Sequence, residues 1–141
     1  MIVVGVDKSD VSKEALRFAL HEASMRGTRL RAVHAWESHA IPVTGPGVVA
    51  AYDPETAHEA AARLLVEIVQ AVVGGRADQV ERVTAEGRAG EVILDNAQDA
   101  EMIVVGTRAH GSLAELFLGS VSHHVVRHSR CPVVVVPPVR S

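Results

Sequence analysis

Two short stretches of this sequence carry the residue types that hold phosphate. The first is Gly106-Thr107-Arg108-Ala109-His110-Gly111-Ser112, directly after an apolar run, and the second is Gly119-Ser120-Val121-Ser122. Glycines at 106, 111 and 119 let main chain approach a ligand with no Cβ in the way. Ser120 is placed to cap a helix whose first N–H groups favour an anion. A plainer reading is equally consistent with the residues alone: glycines after strands are common turn formers, and Ser120 can be a cap and nothing more. Two better-known phosphate motifs are excluded. Gly106 and Gly111 have Walker A spacing, but Ser112 and Leu113 stand where Lys and Ser/Thr are required. No G-x-G-x-x-G follows the first strand, so a dinucleotide-binding Rossmann fingerprint is absent.

Three further candidates bear chemistry. Asp7 ends the first apolar run, where a carboxylate can meet a ligand. His124 and His128 stand four residues apart, which puts two metal-ligand types on one helix face, but no Cys or carboxylate lies nearby in sequence to complete a set. They read as solvated helix-face residues. Cys131 enters an apolar run and reads as a small core residue rather than a redox centre.

The elements that must position these residues follow from periodicity. Ile2 to Val6 is a short β-branched run, read as a buried strand, and Ser9 or Asp10 can cap the helix after it. Val11, Ala15, Phe18, Ala19 and Ala23, widened by Leu16 and Leu20, recur at helical spacing until Gly27. Leu30 to Trp36 predicts a second strand. Ser38 to Asp53, with Pro42, Gly45, Pro46 and Gly47, predicts a long loop. Pro54 opens the longest helix, with Ala57, Ala61, Leu64, Ile68 and Ala71 on its apolar face, ending at Gly74-Gly75. Val80 to Thr84, carrying Glu81 and Arg82, suits an edge strand. After Gly87, Ile93, Ala97 and Ala100 line another short helix. Met102 to Val105 and Val133 to Val136 are fully apolar runs, read as parallel strands buried on both faces. The alternation of strands and helices predicts one domain over residues 1–141, a three-layer α/β/α sandwich around five parallel strands. In such sheets ligands bind beyond the carboxyl ends of the strands, where the strand order reverses. Asp7 and the segment from Gly106 to Ser122 belong there.

Placed in that order, the residues resemble the universal stress protein family. The resemblance runs from Val4-Gly5-Val6-Asp7-x-Ser9 through Ala85-Glu86-Gly87 and Ile93-Leu94 to Ile103-Val104-Val105-Gly106-Thr107-Arg108, Leu118-Gly119-Ser120-Val121-Ser122 and Cys131-Pro132-Val133. Its most specific part is the nucleotide motif of the ATP-binding branch: Gly, two residues, Gly, nine residues, Gly, then Ser or Thr. Gly106, Gly119 and Ser120 match it, and Ala109 replaces the second glycine. The resemblance implies strand order 3-2-1-4-5, an adenine nucleotide α-hydrolase-like fold, ATP with or without Mg2+ across strands one and four, and a homodimer. It also implies roles. Asp7 and the main chain around Gly5 and Ala35 would hold adenine and ribose, while Gly106, Thr107, Arg108, Ala109, His110, Gly111 and Ser112 would wrap the phosphates. Arg108 and His110 would add positive charge, and Ser120, Val121 and Ser122 would finish the cradle. With that order, the all-valine strand from Pro132 to Val136 lies at a sheet edge, and pairing with its own copy would cover it.

Composition narrows the function classes. Of 141 residues, 48% are hydrophobic and 22% charged, enough apolar material for one core. A net charge of -3, no basic block and only 3% aromatic residues disfavour DNA and RNA as partners. A single cysteine suits a reducing cytoplasm, and no apolar run approaches the ~20 residues that cross a bilayer. The resemblance implies a regulatory ATP-binding protein of the stress response, acting through conformation or partners, and the lack of a recognisable catalytic pair leads us to expect no enzyme. The alternatives are a slow ATP-hydrolysing or phosphate-transferring enzyme using His110 or Asp7, and a partner-binding protein without nucleotide. A response-regulator receiver is excluded, since Asp7 and Asp10 are not adjacent and the only lysines are Lys8 and Lys13.

Overall fold

A computed structural model describes residues 1–38, 53–107 and 118–139. Within them the strands are β1 (Ile2–Gly5), β2 (Leu30–Trp36), β3 (Val80–Glu86), β4 (Met102–Gly106) and β5 (Val133–Val136). All pair in parallel, in the order β3-β2-β1-β4-β5. The helices are α1 (Asp10–Arg26), α2 (Pro54–Val73), α3 (Ala89–Asp95) and α4 (Ser120–His128), with a 3-10 turn at Gly74–Gln79.

The sheet separates two apolar layers. Ile2 and Val4 of β1 pack with Ala15, Leu16 and Ala19 of α1 and Leu65 and Val69 of α2. Val3, between them in sequence, faces the other way and packs with Ile93 of α3 and Val125 of α4. Successive residues of a central strand are thus both buried, which is why β1 and β4 read as unbroken apolar runs.

Punctuation residues act where the sequence places them. Ser9 caps α1, its Oγ accepting from the Ser12 N–H at 3.2 Å. Gly27 ends that helix at φ 63°, a left-handed conformation that suits glycine. Pro54 is the first residue of α2.

Three expectations are corrected, and a fourth falls outside the described residues. The buried stripe of α2 is Ala61, Leu65, Ile68 and Val69; Ala57 and Leu64 are half-buried and Ala71 is exposed. The helix is rolled so that Leu65, Ile68 and Val69, with Ala61, fill the layer. The helix α3 stops at Asp95, because Asn96 turns back to bond the Val92 carbonyl, leaving Ala97 and Ala100 in the following turn. The strand β5 is half-buried along its length, unlike β4, since it lies at an edge. The segment from Ser38 to Asp53 lies almost wholly outside the described residues.

Candidate functional site

β1 stops at Gly5, opposite Val33, while β2 continues to Trp36. That mismatch leaves a notch at the carboxyl ends of the two strands. The turn after β1 is stitched by its own side chains. Asp7 Oδ1 accepts from the Ser9 N–H at 2.7 Å and from the Ser9 hydroxyl. Ser12 Oγ accepts from the Asp7 N–H at 3.0 Å and lies 2.8 Å from the Asp7 carbonyl oxygen, to which it donates. His34 Nδ1 is 2.8 Å from the Val6 carbonyl oxygen. A carbonyl only accepts, so the Nδ1 proton sits in that bond and Nε2 is left to face other partners.

Across the notch β4 ends at Gly106, with the Thr107 N–H donating to Val136 at 2.9 Å. Thr107 Oγ1 is buried and has no hydrogen-bond partner among the described residues. Opposite it α4 begins. Gly119 is the N-cap (φ −65°, ψ 166°) and supplies no side-chain acceptor, while its carbonyl accepts from the His123 N–H at 2.9 Å and the Ser122 hydroxyl at 3.1 Å. The N–H groups of Ser120, Val121 and Ser122 therefore have no acceptor among the described residues. Uncapped helix N–H groups carry partial positive charge.

These ends enclose a cavity of about 340 Å³. Val33, Ala35, Ile93, Val105 and Val121, all members of the apolar layer under α3 and α4, give it one kind of wall. Asp7, Ser9, Ser12, His34, Thr107 and Ser120 give it another. Apolar side chains, hydroxyl and carboxylate groups, and N–H groups without an acceptor thus open into one space.

Of the residues expected at the site, Gly5, Asp7, Ala35, Gly106, Thr107, Gly119, Ser120, Val121 and Ser122 line this cavity. Arg108, Ala109, His110, Gly111 and Ser112 lie outside the described residues. Two assigned reasons are corrected. Ser120 does not cap α4; it is the first helical residue, one place past Gly119. Gly106 owes its lack of side chain to packing: a Cβ there would collide with Val11 Cγ1 and come within 3.1 Å of the Val11 carbonyl carbon. Gly5 is similar, a Cβ falling 2.6 Å from Ile93 Cδ1. Ser12, His34 and Ala89 were not anticipated. Ala89 joins the lining only because α3 folds over the sheet, which no local pattern announces. Among the described residues no group of three or more His, Cys, Asp or Glu could hold a metal, and no helix is long and apolar enough to cross a membrane.

Comparison with known proteins agrees on one family. The model of the universal stress protein family matches residues 1–137. A universal stress protein of Mycobacterium tuberculosis H37Rv is 35% identical over 135 residues, covering 95% of this chain but 44% of that protein, so the chain spans less than half that relative's length. A universal stress protein of Thermus aquaticus is 35% identical over 145 residues, with 96% of both chains covered. Among solved structures, the universal stress protein of Archaeoglobus fulgidus in complex with dAMP superposes with a TM-score of 0.62 at 27% identity, covering 96% of this chain and 95% of its own.

Proposed function

This chain belongs to the universal stress protein family, and from its site we propose that it is a regulatory protein that binds ATP in the cavity between β1, β4 and α4. The observation that carries this reading is the start of α4: three N–H groups without an acceptor open into a cavity whose other wall is apolar. A phosphate supplies the missing acceptors. The base fits against Val33, Ala35, Ile93, Val105 and Val121, and the ribose hydroxyls can donate to Asp7, whose Oδ2 has no hydrogen bond among the described residues. The buried Thr107 hydroxyl gains a partner from the same ligand. The dAMP-bound relative supports an adenine nucleotide as the ligand class. ATP, with Mg2+ held by its phosphates, is the finer assignment.

We read the protein further as one domain, cytoplasmic and dimeric. β5 pairs with β4 on one side, and its other edge has no strand partner among the described residues. A second copy's β5 would cover it. The output is a change of conformation or partner, so turnover of ATP should fall well below the usual enzyme range of about 1–1,000 per second.

Titration calorimetry with ATP, with and without Mg2+, tests the reading. Saturable binding at one nucleotide per chain is expected. No binding at millimolar ATP would overturn it.

A further inference from the structure

A second cavity, of about 360 Å³, adjoins the first. Ala89, Ser120 and Val121 line both. The shared wall thus includes the start of α4, where the proposed function puts phosphate, so the second chamber is entered from the phosphate end of the ligand. Its own lining is of mixed charge: Arg88 and Glu91 from the start of α3, His124 from α4 and Glu37 after β2. Arg88 and Glu91 are exposed, and neither forms an ion pair or side-chain hydrogen bond among the described residues. The half-buried His124 ring lies over Gly90, where a Cβ would fall 2.7 Å from its Cδ2.

We infer that the second chamber takes a second nucleoside joined through the phosphate chain, so that the site as a whole suits a dinucleoside polyphosphate. This inference rests on the nucleotide reading of the first cavity. At about 360 Å³ the second chamber has room for a nucleoside. The lining of the second does not single out a bare anion, because the Glu91 carboxylate opposes one as the Arg88 guanidinium attracts it. Ribose hydroxyls instead donate to carboxylates. A base offers a π-face to the Arg88 guanidinium. Linking two nucleosides makes the second contact intramolecular, which adds affinity without new contacts in the first chamber.

Titration calorimetry with three probes tests this: ATP, adenosine tetraphosphate and diadenosine tetraphosphate. Adenosine tetraphosphate has the longer phosphate chain and no second nucleoside. Diadenosine tetraphosphate should bind at least about tenfold more tightly than either of the others. The Arg88→Ala, Glu91→Ala double variant should lose that advantage while holding its ATP affinity within about twofold, which also reports an intact fold. Equal affinity of the parent for ATP and diadenosine tetraphosphate would overturn the inference and leave the nucleotide reading standing. An equal gain from adenosine tetraphosphate would overturn it too, making the chamber an anion subsite. Failure of all three probes to bind would overturn the nucleotide reading itself.

Discussion

Two helices begin at the same cavity, and they begin differently. α1 starts capped: Ser9 Oγ takes the Ser12 N–H, and the Ser12 hydroxyl accepts from the Asp7 N–H and donates to the Asp7 carbonyl across the turn before it. α4 starts open, because Gly119 at its N-cap has no side chain to offer. Both have the partial positive charge of a helix N-terminus. In α1 the Ser12 N–H is already taken by Ser9, whereas at α4 all three of the first N–H groups lack an acceptor among the described residues, so the capped start acts more as scaffold and the uncapped one as the place where an anion gains most. The serine-rich turn and the glycine-led turn are adjacent in space and opposite in role.

The strongest way to break this contrast is to close α4. Gly119 already has the extended conformation of an N-cap, which Asp adopts without strain. Gly119→Asp should cap the helix, leaving thermal stability equal or a few tenths of a kcal/mol higher. Its carboxylate would occupy the N–H groups and repel phosphate, lowering ATP affinity by at least about a hundredfold, near 2.7 kcal/mol. Calorimetry and thermal melts on one preparation read both effects. Unchanged ATP affinity in a stably folded variant would show that the open start of α4 is not where the phosphate sits.

Gly106 separates scaffold from site in the other direction. Its missing Cβ makes room for Val11 of α1, so Gly106→Ala should destabilise the fold by about 1–3 kcal/mol through overpacking. Denaturant unfolding checks this. A variant of unchanged midpoint and weakened nucleotide binding would restore the ligand-approach reading of this glycine.

The same pair of glycines marks what the sequence could and could not disclose. Strand runs such as Met102 to Val105, the Ser9 cap, the Gly27 stop and Pro54 at the head of α2 are local signals, and they place five strands and four helices correctly. Nine of the fourteen expected site residues line one cavity because the carboxyl ends of parallel strands converge by topology. Why a glycine stands at 106 is not local. It depends on how closely α1 crosses β4, and a turn glycine and a packing glycine look alike in sequence. His34 and Ser12 were missed for a related reason: each bonds main chain of the β1–α1 turn, His34 from another strand. The roll of α2 is not local either, since Leu64 and Leu65 both fit a helical stripe and only the packing against the sheet decides that Leu65 is the buried one.

Loosening the closed helix start is a smaller perturbation. Ser9→Ala removes the acceptor for the Ser12 N–H and one donor to Asp7. Losing such a cap costs about 0.5–2 kcal/mol. The expected result is a lower unfolding midpoint with ATP affinity reduced severalfold at most, through a less fixed Asp7. If Ser9→Ala abolished binding at unchanged stability, α1's start would be a ligand site and the contrast between the two helices would fail.

The smallest effect concerns a third helix start, away from the cavity, that shows how a charged cap differs from a hydroxyl one. Asp53 caps α2, Oδ1 accepting from the Glu55 N–H at 3.1 Å and Oδ2 from the Thr56 hydroxyl at 2.6 Å. The Thr56 side-chain bond, followed by the Glu55 N–H, holds the Asp53 carboxyl below its ordinary value. A group with a lowered folded-state pKa contributes stability that is present above its unfolded value and is lost as pH falls through the folded one. The window therefore lies on the acid side, below about pH 4. Amide exchange at Glu55 and Thr56 should quicken, relative to the intrinsic rate, as pH drops through that window. Asp53→Asn keeps a good capping acceptor without the titrating charge and should flatten the dependence. Thr56→Val removes the largest cause of the shift and should move the change to higher pH. Acid-induced opening of the same size in Asp53→Asn would assign it to another carboxylate and leave α2 capped as α1 is, by hydrogen bonding without charge.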